Sequence, residues 1–340
     1  MVRVKKESSD TDESAKTIDN ILDDLNKKYG SNTVYKFGES KVERVEVIST
    51  GSPAVDRALV IGGLPRGRLV ELYGEQSTGK STTALSTIAQ AQKSGLKCFY
   101  LDIEHAMDIG LCRGMGVNVD DLYFAQPDSA EEALDITRAL VNSGAFAVGV
   151  IDSVAALVPK AELEGEIGDQ TIGLQARLIG QALRMLTGEI ARSNTCIILI
   201  NQLRSKIGGF GYGPQTDTPG GKSIKFYASI RLEVKRVGSV KQGEEIVGNE
   251  LKITVVKNKL APPFRTAETE LIFGKGFNVG GELLDLGLKI GIIKQEGRSF
   301  LYNGTKLGGN RPTACQEIKD NAELFAQLKK EIEDASKQAV

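Results

Sequence analysis

The stretch that decides the fold reads Gly74-Glu75-Gln76-Ser77-Thr78-Gly79-Lys80-Ser81, with Thr82 following. An apolar run, Leu69 to Tyr73, precedes it, and apolar residues at helical spacing follow it as far as Gly95. This strand, loop and helix context is what a phosphate-binding loop requires, because glycines let backbone N–H groups face inward and the helix start adds more. The pattern predicts a nucleoside triphosphate site in which Lys80 contacts the β and γ phosphates and Ser81 ligates Mg²⁺. A glycine-rich turn with a chance lysine is the alternative, and both flanks disfavour it.

Composition narrows the class of protein. The 340 residues suit a large core with one or two small appendages, and 41% hydrophobic with 26% charged residues is typical of a soluble globular chain. A net charge of −1 excludes an argument from overall basicity, so any nucleic-acid surface has to be local. The four cysteines form no C-x-x-C pair, which favours reduced thiols over a zinc site or disulfides. No run approaches the ~18 apolar residues of a membrane span and the start lacks a signal peptide, so a cytoplasmic location is predicted.

The N-terminal region predicts one amphipathic helix. Its apolar positions recur at i, i+3, i+4 and i+7 after Ser14, a candidate cap, and these positions are Ile18, Ile21, Leu22 and Leu25. Residues 1–13 are polar and are predicted to be disordered. A lone helix of this length is marginal in water, so its apolar stripe must dock on its own core or on a neighbouring copy. The residue pattern alone leaves both options open.

The middle of the chain alternates helical patterns with short apolar runs, which is typical of a mostly parallel sheet covered by helices on both faces. The runs are Leu69 to Tyr73, Cys98 to Leu101, Ala147 to Ile151 and Cys196 to Ile200. Each run ends in polar residues, and ligands of open α/β sheets lie beyond the carboxyl ends of the strands. We therefore expect four strand ends to converge on one site.

Two later stretches differ from these runs. Apolar residues alternate strictly with polar ones from Phe226 to Lys235, and Leu251, Ile253 and Val255 alternate with Lys252, Thr254 and Val256. This pattern predicts half-exposed antiparallel strands that extend the sheet. Glycines cluster from Gly274 to Gly281 and indicate a domain boundary. The predicted fold class is α/β: a mostly parallel central sheet flanked by helices, an N-terminal helix and a small C-terminal α/β domain. The last helix of that domain has Leu324, Phe325, Leu328 and Ile332 on one face.

Carboxylates follow two of the predicted strands. Asp152 follows a buried run, as a carboxylate that holds Mg²⁺ or its waters beside a triphosphate does. A helix-capping aspartate is the alternative, which the phosphate loop makes less favoured. Glu104 is the first candidate to orient or activate the attacking water, and Asp102 is the second. His105, the single histidine of the chain, is given no role.

Gln202 ends the last parallel run, where its amide is a candidate contact for the γ phosphate. A glycine-rich stretch, Leu203 to Gly221, follows it and contains Phe210 and Tyr212. From residue 201 to residue 239 there are seven Lys or Arg and two acids. Local positive charge with aromatic residues on a long loop suits single-stranded nucleic acid, and a solvated surface loop is an equal alternative on charge alone.

Taken together, these residues resemble the bacterial RecA recombinase family from about Ile18 to Phe325. The stretches that carry the resemblance are Leu101-Asp102-Ile103-Glu104-His105-Ala106-Met107-Asp108, Asp152-Ser153-Val154-Ala155-Ala156-Leu157, Glu164-Gly165-Glu166-Ile167-Gly168-Asp169 and Val255-Val256-Lys257-Asn258-Lys259. The resemblance implies a RecA-type phosphate-loop core that binds ATP and Mg²⁺. It further implies a DNA-dependent ATPase that forms helical filaments on single-stranded DNA and pairs that strand with homologous duplex DNA in recombination, DNA repair and the SOS response.

The resemblance also implies roles for individual residues. Lys80 and Ser81 match the phosphate and Mg²⁺ ligands, Glu104 the group that acts on water, Asp152 the metal carboxylate and Gln202 the γ-phosphate sensor, while Lys257 and Lys259 match lysines that reach the ATP of the adjacent subunit. The implied DNA-binding loops are Glu162 to Gly173 and Leu203 to Gly221. The implied DNA-binding residues are Glu162, Gly165, Ile172, Gly173, Arg177, Arg184, Arg204, Ile207, Phe210, Gly220 and Gly221.

The resemblance makes the N-terminal helix the polymerisation element. The predicted domains are residues 1–40 for that helix and a linker, 41–278 for the ATPase core, and 279–340 for the C-terminal domain. A homo-oligomeric filament, single-stranded and duplex DNA, a LexA-type repressor and a single-strand binding protein are the expected partners, with no membrane. Two other functions stay open: a closed-ring RecA-fold helicase, which electron microscopy distinguishes from a filament, and a single-strand coating protein whose hydrolysis is incidental.

Overall fold

The structure is a computed structural model that describes residues 7–30, 33–35, 45–166, 173–205 and 216–338. The chain divides into two compact units, residues 1–45 and residues 46–340. The predicted division into three domains stays a prediction.

The first unit contains the helix α1 (Glu7–Tyr29). It begins seven residues before Ser14, the predicted cap, because hydrophobic periodicity marks only the apolar part of a helix and misses polar first turns. The helix ends where Gly30, at φ 112°, donates its N–H to the carbonyl oxygen of Asn26 at 3.0 Å. Of the predicted apolar stripe, Ile18 and Ile21 are 54% and 53% exposed, whereas Leu22 and Leu25 are half-buried.

The helices of the second unit are α2 (Pro53–Ala58), α3 (Lys80–Lys93), α4 (Ile109–Gly114), α5 (Ala130–Asn142), α6 (Lys160–Leu163), α7 (Leu174–Ser193), α8 (Gly221–Tyr227), α9 (Val279–Ile290), α10 (Arg311–Asp320) and α11 (Ala322–Gln338). Its strands are β1 (Val47–Ile48), β2 (Leu64–Pro65), β3 (Leu69–Gly74), β4 (Lys97–Asp102), β5 (Leu122–Ala125), β6 (Phe146–Asp152), β7 (Cys196–Gln202), β8 (Arg204–Ser205), β9 (Thr216–Asp217), β10 (Ile230–Gln242), β11 (Glu245–Asn258), β12 (Thr266–Ile272), β13 (Gly276–Phe277), β14 (Ile293–Glu296), β15 (Ser299–Tyr302) and β16 (Thr305–Gly308).

The central sheet has the strand order β13-β12-β11-β10-β3-β7-β6-β4-β5 within the described residues. The strands from β10 to β5 run parallel, and β10 to β13 pair antiparallel, so the mostly parallel sheet and its four buried runs are confirmed. The alternating stretch from Phe226 was only partly interpreted correctly. Phe226 lies in α8, and β10 begins at Ile230 and pairs parallel with β3. The edge strand β5 was missed because its side chains are only partly buried and its four residues show no clear period.

Helices cover both faces of the sheet. Alternation along the strands sends Val70 and Leu72 to the face that α3 covers, and sends Leu69 to the face that α7 covers. On the first face α3 buries Leu85 and Ile88, which are almost fully inaccessible. The loop that precedes α3 is therefore held at the carboxyl ends of β3, β7, β6 and β4.

The C-terminal part of the second unit has its own apolar cluster. The sheet β14-β15-β16 is antiparallel and packs with α9, α10 and α11 around buried residues that include Leu283, Phe300 and Ile318. The predicted apolar face of the last helix is confirmed, since Leu328 and Ile332 are buried and their two predicted neighbours pack against the same cluster.

Candidate functional site

The phosphate loop joins β3 to α3, as the sequence predicts. Gly74 ends β3, and a Cβ placed there would lie 2.1 Å from the carbonyl oxygen of Val234 on the adjacent strand β10. Gly79 precedes the first turn of α3 with φ 86°, a left-handed conformation that glycine adopts without strain. Both glycines of the motif are thus required by the backbone path. The N–H groups at the start of α3 point into the loop and favour an anion there.

Lys80 is the cation of this loop. Its side chain is nearly buried, at 6% exposure, and Nζ donates to the carbonyl oxygen of Glu75 at 2.6 Å. Burial lowers the pKa of Lys80, and the nearby carboxylates Asp152 and Glu104 act in the opposite direction. A desolvated ammonium whose only hydrogen bond among those described goes to a backbone carbonyl, set at a helix start, suits a ligand with several negative charges.

Asp152 ends β6 directly beside the start of α3. Its Oδ2 atom accepts hydrogen bonds from Ser81 Oγ and from Tyr100 Oη, each at 2.6 Å. Burial raises the pKa of Asp152, and the two hydroxyl donors oppose that shift. Burial also raises the pKa of Tyr100, so its hydroxyl keeps its proton and donates. The sequence pattern placed Asp152 and Ser81 here, and it missed Tyr100, which reads as one more apolar residue of the strand.

The oxygen atoms of Ser81 and Asp152 are suitable ligands for a Mg²⁺ ion that is bound together with phosphates. A hydroxyl and a carboxylate are hard oxygen ligands, and Mg²⁺ is commonly held by one or two such groups plus substrate phosphates. No group of three or more His, Cys, Asp or Glu that is suited to hold a metal occurs among the described residues. Ser81 and Asp152 would therefore hold the ion with the nucleotide.

Glu104 lies just beyond β4 and faces solvent. Its Oε1 atom accepts hydrogen bonds from Ser153 Oγ at 2.5 Å and from Gln202 Nε2 at 2.9 Å. Gln202 therefore contacts the exposed carboxylate directly, and Ser153, which the sequence reasoning did not single out, orients the same oxygen. This arrangement gives an accessible carboxylate of fixed position beside the phosphate loop.

Asp102, the second candidate for the attacking water, has a different position. It is buried and accepts hydrogen bonds from the backbone N–H groups of Ala106 and Met107 and from Gln126 Nε2, at 3.0–3.3 Å. These three donors hold the turn that carries Glu104. Of the two carboxylates, Glu104 is thus the exposed one, and Asp102 is buried and already accepts three hydrogen bonds.

A second hydrogen-bond chain runs from the sheet to the predicted second DNA loop. Asn201, the neighbour of Gln202, is fully buried and donates from Nδ2 to Glu71 Oε1 and to the carbonyl oxygen of Pro219, both at 3.0 Å. Arg231 closes the chain by donating from Nε to Glu71 Oε2 at 2.5 Å. Asn201 and its partners were missed because nothing in their local pattern distinguishes a buried polar link from a strand end.

The two predicted DNA loops end on adjacent helices. Gly173 precedes α7 and Gly220 precedes α8, each with a positive φ, and the two helices approach so closely that a Cβ at Gly180 would lie 2.7 Å from Ser223 Oγ. At the other end of the second loop, β8 and β9 pair Arg204 with Asp217.

Most of the predicted DNA-contacting positions are exposed where they are described, but Gly220 is buried against Val154, Ile179 and Ile224 and is not accessible to DNA in this conformation. Arg177 and Arg184 are exposed on α7, two turns apart on one face, and Glu162, Gly165 and Arg204 are exposed too. Ile172, Ile207 and Phe210 lie outside the described residues.

Lys257 and Lys259 lie away from the phosphate loop of their own chain. Lys257 Nζ donates to the carbonyl oxygens of Lys225 and Phe226 at 2.5 and 3.1 Å, and Lys259 Nζ donates to that of Phe226 at 3.0 Å. Burial lowers the pKa of Lys257, and the neighbouring Lys259 lowers it further. Both ammonium groups therefore cluster at the C-terminal end of α8, where the helix dipole favours cations.

No described helix is both long and apolar enough to cross a lipid bilayer.

Comparison with known proteins agrees with this geometry. Residues 16–278 match the model of the RecA N-terminal domain, and residues 281–337 match that of the RecA C-terminal domain. Protein RecA of Campylobacter jejuni subsp. jejuni is 48% identical over 324 residues, which cover 95% of this chain and 94% of the relative. Protein RecA of Pseudomonas fluorescens is 49% identical over 323 residues, 95% of this chain and 92% of the relative. Protein RecA of Parvibaculum lavamentivorans is 49% identical over 333 residues, 98% and 90% of the two chains. With a phosphate loop, an oriented carboxylate and both domain models matched in order, the chain belongs to the RecA family.

Proposed function

We propose that this protein is a DNA-dependent ATPase that forms a helical filament on single-stranded DNA and pairs that strand with homologous duplex DNA in recombinational repair. The observation that carries the proposal is the hydrogen bond from Gln202 Nε2 to Glu104 Oε1 at 2.9 Å. It joins the carboxylate beside the phosphate loop to the residue from which the second loop departs. One contact thus links the hydrolytic site to the predicted DNA-binding segment.

At the nucleotide site each residue has a role that follows from its position. Lys80 and the N–H groups of the loop bind the β and γ phosphates, while Ser81 and Asp152 hold Mg²⁺. The ion, when bound, neutralises charge that develops on the phosphate oxygens. Glu104 accepts a proton from the water that attacks the γ phosphorus, and the bond to the leaving ADP oxygen breaks.

Lys257 and Lys259 support an assembly in which the site is completed by a second copy. The backbone N–H of Lys259 donates to Ser229, whose own N–H donates to Leu69, the first residue of β3. The phosphate loop begins at Gly74, the last residue of that strand. Five residues of extended chain span about 17 Å, so these lysines lie at the far end of the sheet from their own triphosphate. A head-to-tail arrangement of copies brings them to the triphosphate of a neighbour, and such an arrangement propagates as a filament when its rotation does not close.

The link from nucleotide to DNA is proposed to run through Gln202 and Asn201. A γ phosphate changes the contact between the Gln202 amide and Glu104. Asn201, the neighbour of Gln202, transmits the change to Pro219 at the end of the second loop. ATP binding then orders the DNA loops, and hydrolysis releases them. The exposed Arg177 and Arg184 beside these loops supply positive charge for the DNA backbone.

The proposal includes partners and location that rest on the family alone. The N-terminal helix polymerises the filament through its apolar stripe, and single-stranded and duplex DNA are the substrates of pairing. A LexA-type repressor, a single-strand binding protein and a cytoplasmic location stay predictions.

The test combines strand pairing with subunit mixing. Wild-type protein is expected to form joint molecules between a single-stranded circle and homologous linear duplex while it hydrolyses ATP. Lys80→Ala protein and Lys257→Ala/Lys259→Ala protein are each expected to be inactive. Mixed at equal amounts they regain ATPase activity, because a random head-to-tail filament has about a quarter of its sites built from one intact loop and one intact lysine pair.

Each alternative predicts another result. Lysines that act on the triphosphate of their own chain give no recovery on mixing. A closed-ring helicase shows rings instead of filaments by electron microscopy with ATP and single strands. A coating protein forms no joint molecules, and this result contradicts the proposed function.

A further inference from the structure

Tyr100 has a polar contact that its position in the fold does not require. It lies on β4, two residues before Asp102, which pairs with Asp152 on β6. Side chains two residues apart share a face of the sheet, so Tyr100 lies diagonally behind Asp152, under α3. The ring is 1% exposed and stacks on Phe124 with centroids 6.5 Å apart. A phenylalanine would fill the same volume, and only the hydroxyl group, 2.6 Å from Asp152 Oδ2, needs a further explanation.

Two hydroxyl groups share that one carboxylate oxygen. Ser81 Oγ donates to Asp152 Oδ2 from the first turn of α3, and Tyr100 Oη donates to it from the middle of the sheet. Both hydroxyl groups donate to Oδ2 of Asp152, and neither donates to Oδ1. The two donors differ in their anchoring, because Ser81 belongs to the loop proposed to contact phosphate, whereas Tyr100 is buried in the apolar cluster between the sheet and α3. Tyr100 therefore holds the carboxylate in one orientation whether or not the loop responds to a ligand.

We infer that Tyr100 is a positioning residue for the Mg²⁺ site: its hydroxyl fixes Asp152 so that the carboxylate is presented to the ion and its waters. This inference rests on the proposed ATP and Mg²⁺ site. Hydrogen bonds to a ligating carboxylate orient it and tune its affinity for the metal, and the loss of such a bond weakens metal binding. Tyr100 thus sets the concentration of Mg²⁺ that the protein needs, without touching the nucleotide.

The test is Tyr100→Phe, measured by nucleotide binding instead of turnover. Fluorescence of an N-methylanthraniloyl derivative of ATP is followed while Mg²⁺ is titrated, and again in EDTA. The half-saturating Mg²⁺ concentration is expected to rise about tenfold or more, the effect of losing one hydrogen bond to a charged, metal-binding carboxylate. Nucleotide affinity in EDTA is expected to stay unchanged, because the phosphate loop is intact.

Tyr302→Phe is the matched control. Tyr302 is also buried and also donates to a carboxylate, Glu331 Oε1, at 2.8 Å, but it lies in the C-terminal cluster. Its removal is expected to lower the melting temperature as much as Tyr100→Phe does and to leave the Mg²⁺ titration unchanged.

Two outcomes overturn the inference. An unchanged Mg²⁺ midpoint in Tyr100→Phe shows that the hydroxyl does not act on the metal site. An equal loss of affinity with Mg²⁺ and in EDTA shows that the change disturbs the whole loop. Wild-type protein that binds no nucleotide with Mg²⁺ contradicts the proposed function itself, which separates the two failures.

Discussion

Two regions of this molecule place carboxylates among hydroxyl groups, but the two regions have different functions. The nucleotide cluster consists of Asp152 and Glu104 with the hydroxyls of Ser81, Tyr100 and Ser153. The joint cluster consists of Glu282 and Asp56 with the hydroxyls of Ser52, Ser49, Thr50 and Thr269. Donor and acceptor chemistry is the same in both, so the donors alone do not make a site.

The surroundings of the two clusters differ. Glu104 faces solvent next to Lys80 and the loop of α3, so the nucleotide cluster opens onto a place where anions bind. Glu282, on α9, is closed in by Ser52 Oγ at 2.7 Å and the N–H of Ala54 at 2.9 Å, both at the start of α2. The joint cluster therefore fastens α9 to α2 and β12. Substitutions in the first cluster should impair function more than folding, and substitutions in the second should do the reverse.

The largest effect is expected from Lys80→Ala, which removes the cation of the phosphate loop beside the nucleotide cluster. Without it, the loop keeps its backbone donors but loses the charge that balances the γ phosphate, a loss of about a hundredfold or more in rate for one such donor. ATP-dependent binding to single-stranded DNA is expected to disappear. Lys93→Ala, at the other end of α3 and exposed, is the control and should behave as wild type. A salt-resistant complex on single strands that survives in Lys80→Ala contradicts the coupling between nucleotide and DNA.

A smaller and more selective effect is expected from Glu104→Gln. The amide oxygen can still accept from Ser153 and Gln202, so the geometry is kept while the base is lost, and turnover should fall about a hundredfold or more. Binding of ATP and filament formation on DNA should remain, and they are measured by nucleotide fluorescence and electron microscopy on the same preparation. Unchanged turnover would show that Glu104 is not the base and would favour the coating-protein hypothesis.

The sequence predicted one cluster and missed the other for a physical reason. The nucleotide cluster sits at strand ends around a local motif, so Lys80, Ser81 and Asp152 were found by their spacing. The joint cluster connects Ser52 with Glu282, which are 230 residues apart, and no local period reports such a contact. The contact between Asn201 and Pro219 was missed for the same reason. Tyr100 was missed because a pattern that counts only apolar positions takes no account of its hydroxyl group.

The smallest effect is expected in the joint cluster and concerns pH. Burial raises the pKa of Glu282 from 4.5 to about 7, with Asp56 adding to the shift, and burial raises that of Asp56 to about 6. The folded protein therefore holds protons that the unfolded chain releases, so its stability falls as pH rises from about 4.5 to about 7. For Glu282 the difference corresponds to about 3 kcal/mol, or a melting temperature lower by several degrees. Glu282→Gln should make this decline shallower, since only Asp56 still titrates there, whereas Glu323→Gln, an exposed control on α11, should retain it. Melting curves from about pH 5 to about pH 8 decide the matter, because equal slopes in both variants would show that Glu282 does not ionise within the joint.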